Sequence, residues 1–391
     1  MSTNESAPFE GKERSDITRR SFIRFGAAAT LALTAGTSMA TLFGCKSPEG
    51  DALILGKQTI IDDVGREVTI PVPDRLERVY FTSALAQVFC YTLNPSLLGG
   101  ITAQFSDARL EYLVDGIADL PYMGALSSGG QIDREALLAE DIQLIFSISA
   151  IEITEANIED AETLQAQTGI PCVLIDGSFD KIANAYRLLG TCMGSKERAD
   201  SIAAYLEEVL DGVTEVVSQI PEDERVSFYY AEGPLGLQSE STASQQALVF
   251  EVAGGRNVFE GIENTGMLDV SMEQVLHWNP EIIIATDSKN VGGADELIRT
   301  SSLWDSVPAV KNERVYTMPY APFAWVDRPP AVNRFLGLQW LTNMFYPNKY
   351  DVDMVEVAKD FYSRLYWVEI TDEQAIGMLG NSYPPYRGAA S

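Results

Sequence analysis

A single long amphipathic pattern in the middle of the sequence constrains the fold more than any other feature. From Glu197 to Ile220 apolar residues recur every three or four positions, which is the spacing of one continuous helix, and Pro221 ends it. A helix of this length carries the chain from one part of the molecule to another by a single crossing. The sequence therefore predicts two folded halves with a stiff connection between them.

Both halves alternate short apolar runs with amphipathic stretches. The first half opens with a predicted hairpin at residues 58–62 and 67–70, and a helix is predicted at 84–93. The apolar runs predict strands at residues 78–81, 97–102, 142–148 and 171–176 in the first half, and at 225–230, 281–286 and 314–318 in the second. Strands that alternate with helices form parallel sheets covered on both faces, so we expect an α/β fold with two Rossmann-like lobes.

Charge and composition exclude several classes of function. The 56 acidic and 28 basic residues give a formal net charge of -28, which repels a phosphate backbone, so no nucleic-acid partner is expected. His277 is the one histidine, which excludes sites built from several imidazoles, and we expect it to cap or pack in its helix. The sequence has no HExxH, GxSxG or Gly-rich phosphate motif and no zinc-like cysteine spacing. We therefore expect no enzyme, no bound cofactor and no metal site.

The N-terminus has the order of an export signal. Arg19 and Arg20 precede a mildly apolar stretch, residues 25–44, and this pairing is typical of twin-arginine secretory signals. Leu42-Phe43-Gly44-Cys45 resembles the lipobox of bacterial lipoproteins, in which the cysteine receives lipid after cleavage. The alternatives are a permanent membrane anchor and an incidental cysteine. We expect an extracytoplasmic protein that Cys45 anchors to the cell membrane.

Two segments with the same layout occur once in each half. Residues 132–138 lead into the strand at 142–148, and residues 270–276 lead into the strand at 281–286, with one glutamate near each helix start. Together with the motifs at residues 60–68, 73–79, 252–259 and 304–316, this arrangement resembles the substrate-binding proteins of ATP-binding cassette (ABC) importers for ferric siderophores, haem and cobalamin. The resemblance covers residues 58 to 345, and it implies a ligand cleft between two lobes joined by a single long interlobe helix.

The predicted domain boundaries combine the pattern with this resemblance. They are a signal peptide at 1–44, a tether at 45–57, an N-terminal lobe at 58–196, the interlobe helix at 197–220, a C-terminal lobe at 221–345 and a helical extension at 346–391. Glu135 and Glu273 match the family's two exposed acidic residues, which dock on the importer. The implied partners are an ABC permease and its ATPase subunits, and the protein itself is expected to be a monomer. Solvated helix-start glutamates are the alternative interpretation.

Trp325 and Arg328 are the strongest candidates for ligand contact. An indole beside a guanidinium suits a large, flat or oxygen-rich anionic ligand, and cobalamin-binding members of the family carry a similar segment. Further candidates lie just after predicted strands, where open α/β sheets bind ligands: Ser83, Gln104, Phe105, Tyr230, Glu232 and Tyr320, with Ser241 and Ser244 in a nearby polar loop. For each of them an ordinary loop or core role is the alternative.

The ligand class stays open at this stage. The favoured ligand is an iron chelate or similar metal complex, namely a siderophore, haem or a corrinoid that itself carries the metal. The alternatives are a small oxyanion such as molybdate or tungstate, or a lipoprotein of electron transfer or signalling that transports nothing. Cys172 and Cys192 could form a disulfide outside the cytoplasm or remain buried thiols.

Overall fold

The computed structural model describes residues 56–126, 129–262 and 266–382. Arg19, Arg20, Cys45 and the predicted tether up to Leu55 lie outside the described residues. Within these ranges, no helix is both long enough and apolar enough to cross a bilayer.

The first half is built around a parallel sheet. Its strands are β1 (Lys57–Ile61), β2 (Glu67–Pro71), β3 (Val79–Phe81), β4 (Leu144–Ser149) and β5 (Cys172–Asp176), and its helices are α1 (Ala84–Leu93), α2 (Asp107–Leu110), α3 (Arg134–Ala139), α4 (Glu155–Thr168) and α5 (Ile182–Met193). Strands β3, β4 and β5 pair in that order, all parallel, while β1 and β2 form the predicted antiparallel hairpin. The middle strand, β4, is almost entirely buried, as expected for a parallel strand covered on both faces.

The strand predicted at 97–102 is wrong. A 3₁₀ turn at Pro95–Leu97 leads instead into two isolated bridges, Leu98 with Val79 and Ile101 with Tyr122. Gly99 and Gly100 explain the difference, since a Cβ atom on either would collide with the side chains of Ile142 and Met123, respectively. Glycine weakens strand formation, so two adjacent glycines disfavour a regular strand here.

The helix predicted at 197–220 is present as α6 (Lys196–Ser218). Its buried face follows the predicted spacing at Ile202, Leu206, Val209 and Val213. It packs against α5, where a Cβ atom on Gly190 would collide with Ala199, so the two helices approach closely at that glycine.

The second half repeats the parallel arrangement. It contains β6 (Ser227–Ala231), β7 (Gln238–Glu240), α7 (Leu248–Val252), β8 (Arg256–Asn257), β9 (Met267–Asp269), α8 (Met272–Trp278), β10 (Ile282–Ala285), α9 (Ser288–Val291), α10 (Asp295–Thr300), α11 (Pro308–Lys311), β11 (Val315–Thr317) and α12 (Asn333–Phe345). The sheet order is β11-β10-β6-β8, all parallel, and β7 pairs antiparallel with β9 at its side. The α/β class with parallel sheets is therefore confirmed.

The C-terminal segment contacts both halves. It forms α13 (Met354–Phe361), a π-helical turn (Tyr362–Tyr366) and α14 (Asp372–Leu379). Tyr91 of α1 donates to the carbonyl oxygen of Tyr366 at 2.9 Å, and the amide of Thr317 in β11 donates to Asn381 Oδ1 at 3.2 Å. The segment thus fastens the first helix of one half to the edge strand of the other.

The cysteines within the described ranges are free thiols. Cys90, Cys172 and Cys192 are all buried and unpaired. Burial raises the pKa of both Cys172 and Cys192 to about 12, so both remain protonated and poorly reactive at neutral pH. The pairing left open for Cys172 and Cys192 is absent here.

Candidate ligand site

A cavity of about 370 Å³ opens where residues from both halves face each other. The first half lines it with Ala84, Gln87, Thr102, Ala103, Phe105 and Arg109, and the second half with Gln246, Phe323, Asp327, Arg328, Pro329 and Pro330. Within the described ranges, no group of three or more His, Cys, Asp or Glu side chains could hold a metal ion.

The N-terminus of α1 forms part of the cavity wall. Ser83 caps the helix by accepting the amide of Ala86 at 3.2 Å, and Ala84 and Gln87 face the cavity. Gln87 Oε1 accepts both the amide and the hydroxyl of Thr102, at 2.8 and 2.6 Å, which fixes the orientation of the side-chain amide. The residue lines the cavity and is 3% exposed. A fixed donor beside the positive end of a helix dipole suits an anion.

Arg109 supplies the most available positive charge of the cavity. Its Nε donates to the carbonyl oxygen of Pro322 at 2.6 Å, and its Cζ lies 5.6, 5.3 and 5.1 Å from the ring centroids of Phe105, Tyr320 and Phe323. In the described part of the chain, no carboxylate lies within salt-bridge distance of this guanidinium. The aromatic rings fix its plane and leave its terminal nitrogens free to bind an anion.

The second-half wall is residues 319–330, held in place by α12. Asn333 Nδ2 donates to the carbonyl of Ala324 and Arg334 Nε to that of Val326, both at 3.1 Å. A Cβ atom on Gly337 would collide with the carbonyl of Trp325, so the wall segment lies directly on the helix at this glycine. Buried donors and a close backbone contact therefore determine where Asp327 and Arg328 stand.

Arg328 faces the cavity in front of two buried carboxylates. Its Nε donates to Asp327 Oδ2 at 3.2 Å and its Nη2 donates to Glu232 Oε1. The Arg328 side chain is 46% exposed, whereas those of Glu232 and Asp327 are 1% and 0% exposed. Tyr230 donates to the same Asp327 oxygen at 2.8 Å. Unlike Arg109, Arg328 is thus largely neutralised by its own neighbours.

This buried cluster shifts several pKa values. Burial, and after it the charge of Asp327, raises the pKa of Glu232 to about 8 against the opposing effect of Arg328. Burial also raises the pKa of Glu240, and it lowers the pKa of Arg334 to about 10. Among the described residues no group donates to Glu232 Oε2 or Asp327 Oδ1, although both atoms are buried. The ionised form of Glu232 is therefore poorly stabilised where it stands.

The structure places the predicted ligand residues at different positions around the cavity. Arg328 and Phe105 line the cavity. Ser83, Tyr230 and Glu232 stand directly behind wall residues, and Tyr320 contacts Arg109 from a neighbouring cavity of about 420 Å³. Trp325 is buried, with Nε1 3.4 Å from Tyr362 Oη, and Gln104 is exposed outside the lining set. Ser241 and Ser244 are buried near Gln246, to which Ser244 donates at 2.8 Å.

Sequence reasoning missed Arg109, Gln87 and Thr102. Gln87 left a usable signal, since it is the one amide side chain in a helix whose other positions are mostly apolar. Arg109 left none, because its role depends on aromatic residues more than two hundred positions later in the chain.

The two docking candidates occupy equivalent positions. Glu135 is the second residue of α3, after the cap Asp133, and Glu273 is the second residue of α8, after the cap Ser271. Each helix leads into an inner strand of its sheet, β4 or β10, and both glutamates are exposed. His277 is exposed in the last turn of α8.

Comparison with known proteins identifies the family. The sequence profile described as periplasmic binding protein matches residues 126–322, which is half of the chain. The chain belongs to the periplasmic binding protein family. The resemblance inferred from the sequence is confirmed, as is the expectation of a binding protein rather than an enzyme.

Individual relatives agree with this assignment. The molybdate-binding protein MolA of Haemophilus influenzae is 28% identical over 191 residues, 48% of this chain and 52% of MolA. An uncharacterized ABC transporter substrate-binding lipoprotein of Bacillus subtilis, YvrC, is 23% identical over 181 residues, 44% of this chain and 52% of YvrC. The chain thus spans about half the length of the curated relatives it matches.

Solved structures extend the likeness over most of the fold. An ABC transporter solute binding protein from Sulfurospirillum deleyianum superposes with a TM-score of 0.73 at 28% identity, covering 82% of this chain and 98% of that one. MolA with bound molybdate superposes with a TM-score of 0.65 at 22% identity, covering 80% and 99%. At that identity the second likeness concerns the fold alone.

Proposed function

We propose that this periplasmic binding protein captures a small oxyanion of the molybdate class and delivers it to an ABC importer. The observation that carries the proposal is Arg109, a guanidinium on the cavity wall whose partners in the described part of the chain are aromatic rings and a carbonyl, with no carboxylate. In an acidic chain such a charge is left available for an anionic ligand.

Cavity size favours the oxyanion over the metal complex that the sequence suggested first. Ligand cavities of about 300–1,000 Å³ are usual for drug-sized molecules, and this one, at about 370 Å³, is near the lower end. A corrinoid or haem needs a larger space than a tetrahedral anion. The likeness to a protein named as molybdate-binding supports the same ligand class.

The donor set around the cavity is matched to an anion with several oxygens. Arg109 provides the terminal nitrogens of a fixed guanidinium, Gln87 provides Nε2, and the first turn of α1 provides backbone amides and a positive dipole end. Arg328 closes the opposite wall. In this proposal Trp325, Tyr230, Glu232, Tyr320 and Ser83 hold the wall residues in place rather than contact the ligand, and Phe105 provides apolar contact.

We also propose the arrangement of the whole protein. Residues 1–44 are removed after twin-arginine export through Arg19 and Arg20, and Cys45 carries the lipid. The likeness to YvrC, which is named a lipoprotein, supports the lipid anchor. Residues 58–196 and 221–345 act as lobes joined by α6. Glu135 and Glu273 dock on the permease, each beside an exposed leucine one turn later, Leu138 at 53% and Leu276 at 38% exposure.

Calorimetric titration of the protein with molybdate, tungstate, sulfate, a ferric siderophore, haemin and cobalamin tests the ligand class. We expect molybdate or tungstate to bind and the three metal complexes to give no heat. Arg109→Ala should weaken binding roughly 30-fold or more. Arg187→Ala is the matched control, because Arg187 is paired with Glu207 and does not line the cavity. If a metal complex binds and no oxyanion does, the ligand is instead the metal complex that the sequence favoured.

A further inference from the structure

Behind Arg328 lies a cluster of three buried acids, and the proposed ligand contacts do not require it. Glu232, Glu240 and Asp327 are 1%, 2% and 1% exposed, and each has a carboxylate oxygen without a hydrogen-bond partner in the described part of the chain. Among the residues that the structure describes, Arg328 is the one cation that forms ion pairs with two of them. Three acids around one paired cation exceed what is needed to hold a side chain in place.

Several charged and titratable groups face Glu232. Asp327 and Glu240 oppose its ionisation and Arg328 favours it, while Tyr229 and Tyr230 are neutral phenols near it. Arg334 lies behind Asp327 with its bonds directed to the carbonyls of Val326 and Gln245. With Glu232 protonated, the charges of Arg328 and Arg334 balance those of Asp327 and Glu240. With Glu232 ionised, the cavity wall gains a net negative charge directly behind Arg328.

We propose that Glu232 couples oxyanion capture to the uptake of one proton. This inference rests on the proposed function. The anion binds most tightly to the protein with a protonated Glu232, because part of the Arg328 charge then remains available to it. Ionisation of Glu232 draws that charge back into the wall and releases the anion. The balance is one anion and one proton taken up together whenever Glu232 begins ionised, with no bond formed other than O–H.

Glu232 is thus a positioning residue that affects the ligand through Arg328. Its raised pKa, about 8, means that the change of state falls close to the pH at which such a protein works. An unperturbed glutamate would be ionised throughout this range and would give no such coupling.

Calorimetry with molybdate between about pH 6 and about pH 9, where the anion stays fully ionised, tests the coupling. For the wild-type protein we expect the affinity to fall by up to tenfold per pH unit above the titration of Glu232. Near that pH, the measured heat should also depend on the ionisation enthalpy of the buffer, which reports proton uptake directly. This second readout needs no variant.

Glu232→Gln cannot ionise, so its affinity should become independent of pH and exceed that of the wild type at the alkaline end by about tenfold. Asp295→Asn is the matched control: Asp295 is also a largely buried acid paired with an arginine, Arg299, but its pKa is lowered, so its pH profile should follow the wild type. Wild-type binding without pH dependence or proton uptake would overturn the coupling and leave the proposed function standing. Failure of the wild type to bind any oxyanion at any pH would instead overturn the proposed function.

Discussion

Tyr230 donates its phenolic hydrogen to Asp327 Oδ2 at 2.8 Å, and that oxygen also accepts Arg328 Nε at 3.2 Å. The bond joins strand β6 of the second sheet to the wall segment of the cavity. It therefore connects the core of the fold to the orientation of a residue that faces the ligand. Arg328 is held from behind, and its position depends on groups that the ligand never touches.

Tyr230→Phe tests this connection. The substitution removes one donor to a buried carboxylate and should lower the free energy of unfolding by about 1–3 kcal/mol. Because Arg328 remains bonded to Asp327 and Glu232, oxyanion affinity should weaken by less than tenfold. Urea denaturation and calorimetric titration of the same preparation measure both effects. A large loss of affinity at unchanged stability would mean that the hydroxyl contacts the ligand directly.

Arg109 and Arg328 should respond differently to truncation. Arg109→Ala removes a guanidinium that has no carboxylate partner in the described part of the chain, so affinity should fall roughly 30-fold or more, with a smaller effect on stability. Arg109→Lys should recover part of the binding, since the charge is kept and the forked geometry is lost. Equal affinity of Arg109→Ala and wild type would remove the residue from the site.

Arg328→Ala, in contrast, leaves Glu232 and Asp327 facing each other without their cation. We expect a loss of stability as well as of affinity, because removing one partner of a buried ion pair strands the other charge. The side chain is 46% exposed, so solvent screening makes the loss smaller than for a fully buried pair. Thermal denaturation of Arg328→Ala and Arg109→Ala, measured side by side, shows which arginine stabilises the fold.

The sequence predicted the framework of the fold well because periodic burial leaves a local pattern. Helix α1 was predicted with the same ends that the structure gives it, and α6 within two residues, since apolar spacing alone determines both. The segment at 97–102 misled the same reasoning, because its apolar composition suggests a strand while its two glycines reflect contacts with distant side chains.

The site was predictable only in part, for a related reason. Arg328 comes after strand β11 and could be placed at a sheet edge from its position alone. Phe105 lines the cavity although the strand predicted at 97–102, which it was expected to follow, is absent from the described residues. Trp325 comes just three residues before Arg328, yet it turns into the core against Tyr362, a residue of the C-terminal segment that the pattern left without a defined position. Arg109 depends on rings supplied by the other half of the chain, which no local spacing reveals.

Docking through Glu135 and Glu273 predicts a defect in transport that leaves binding intact. Reversing both charges to lysine should abolish uptake by the reconstituted importer, while the affinity for the oxyanion stays within about twofold, because exposed helix-start residues contribute little to the cavity. Glu159→Lys with Glu215→Lys is the matched control, since both glutamates are exposed on other helices. Normal uptake by the Glu135/Glu273 variant would refute the docking role.

If Cys45 carries the lipid anchor, replacing its sulfur atom by oxygen should move the protein from the membrane fraction to the soluble fraction. Cys45→Ser keeps the size of the side chain but cannot form the thioether, so the protein should move from the membrane to the soluble fraction of cells that lack the permease. Arg19→Lys with Arg20→Lys tests the export route separately and should leave the chain in the cytoplasm. Membrane retention of Cys45→Ser in those cells would indicate an anchor other than lipid.

Glu232 also predicts how stability depends on pH in the absence of ligand. Its pKa rises from an ordinary value of 4.5 to about 8 on folding, so between these values the folded state holds more protons than the unfolded state. Its contribution to stability is therefore complete below about pH 4.5 and is lost as the pH rises through about 8.

The difference in unfolding free energy between wild type and Glu232→Gln should decline across this window in urea titrations. Asp295→Asn should give a constant difference across this window, because the pKa of Asp295 is lowered from 3.8 and its contribution is lost only as the pH falls below that value. A difference between wild type and Glu232→Gln that is constant with pH would show that Glu232 is ionised in the folded protein.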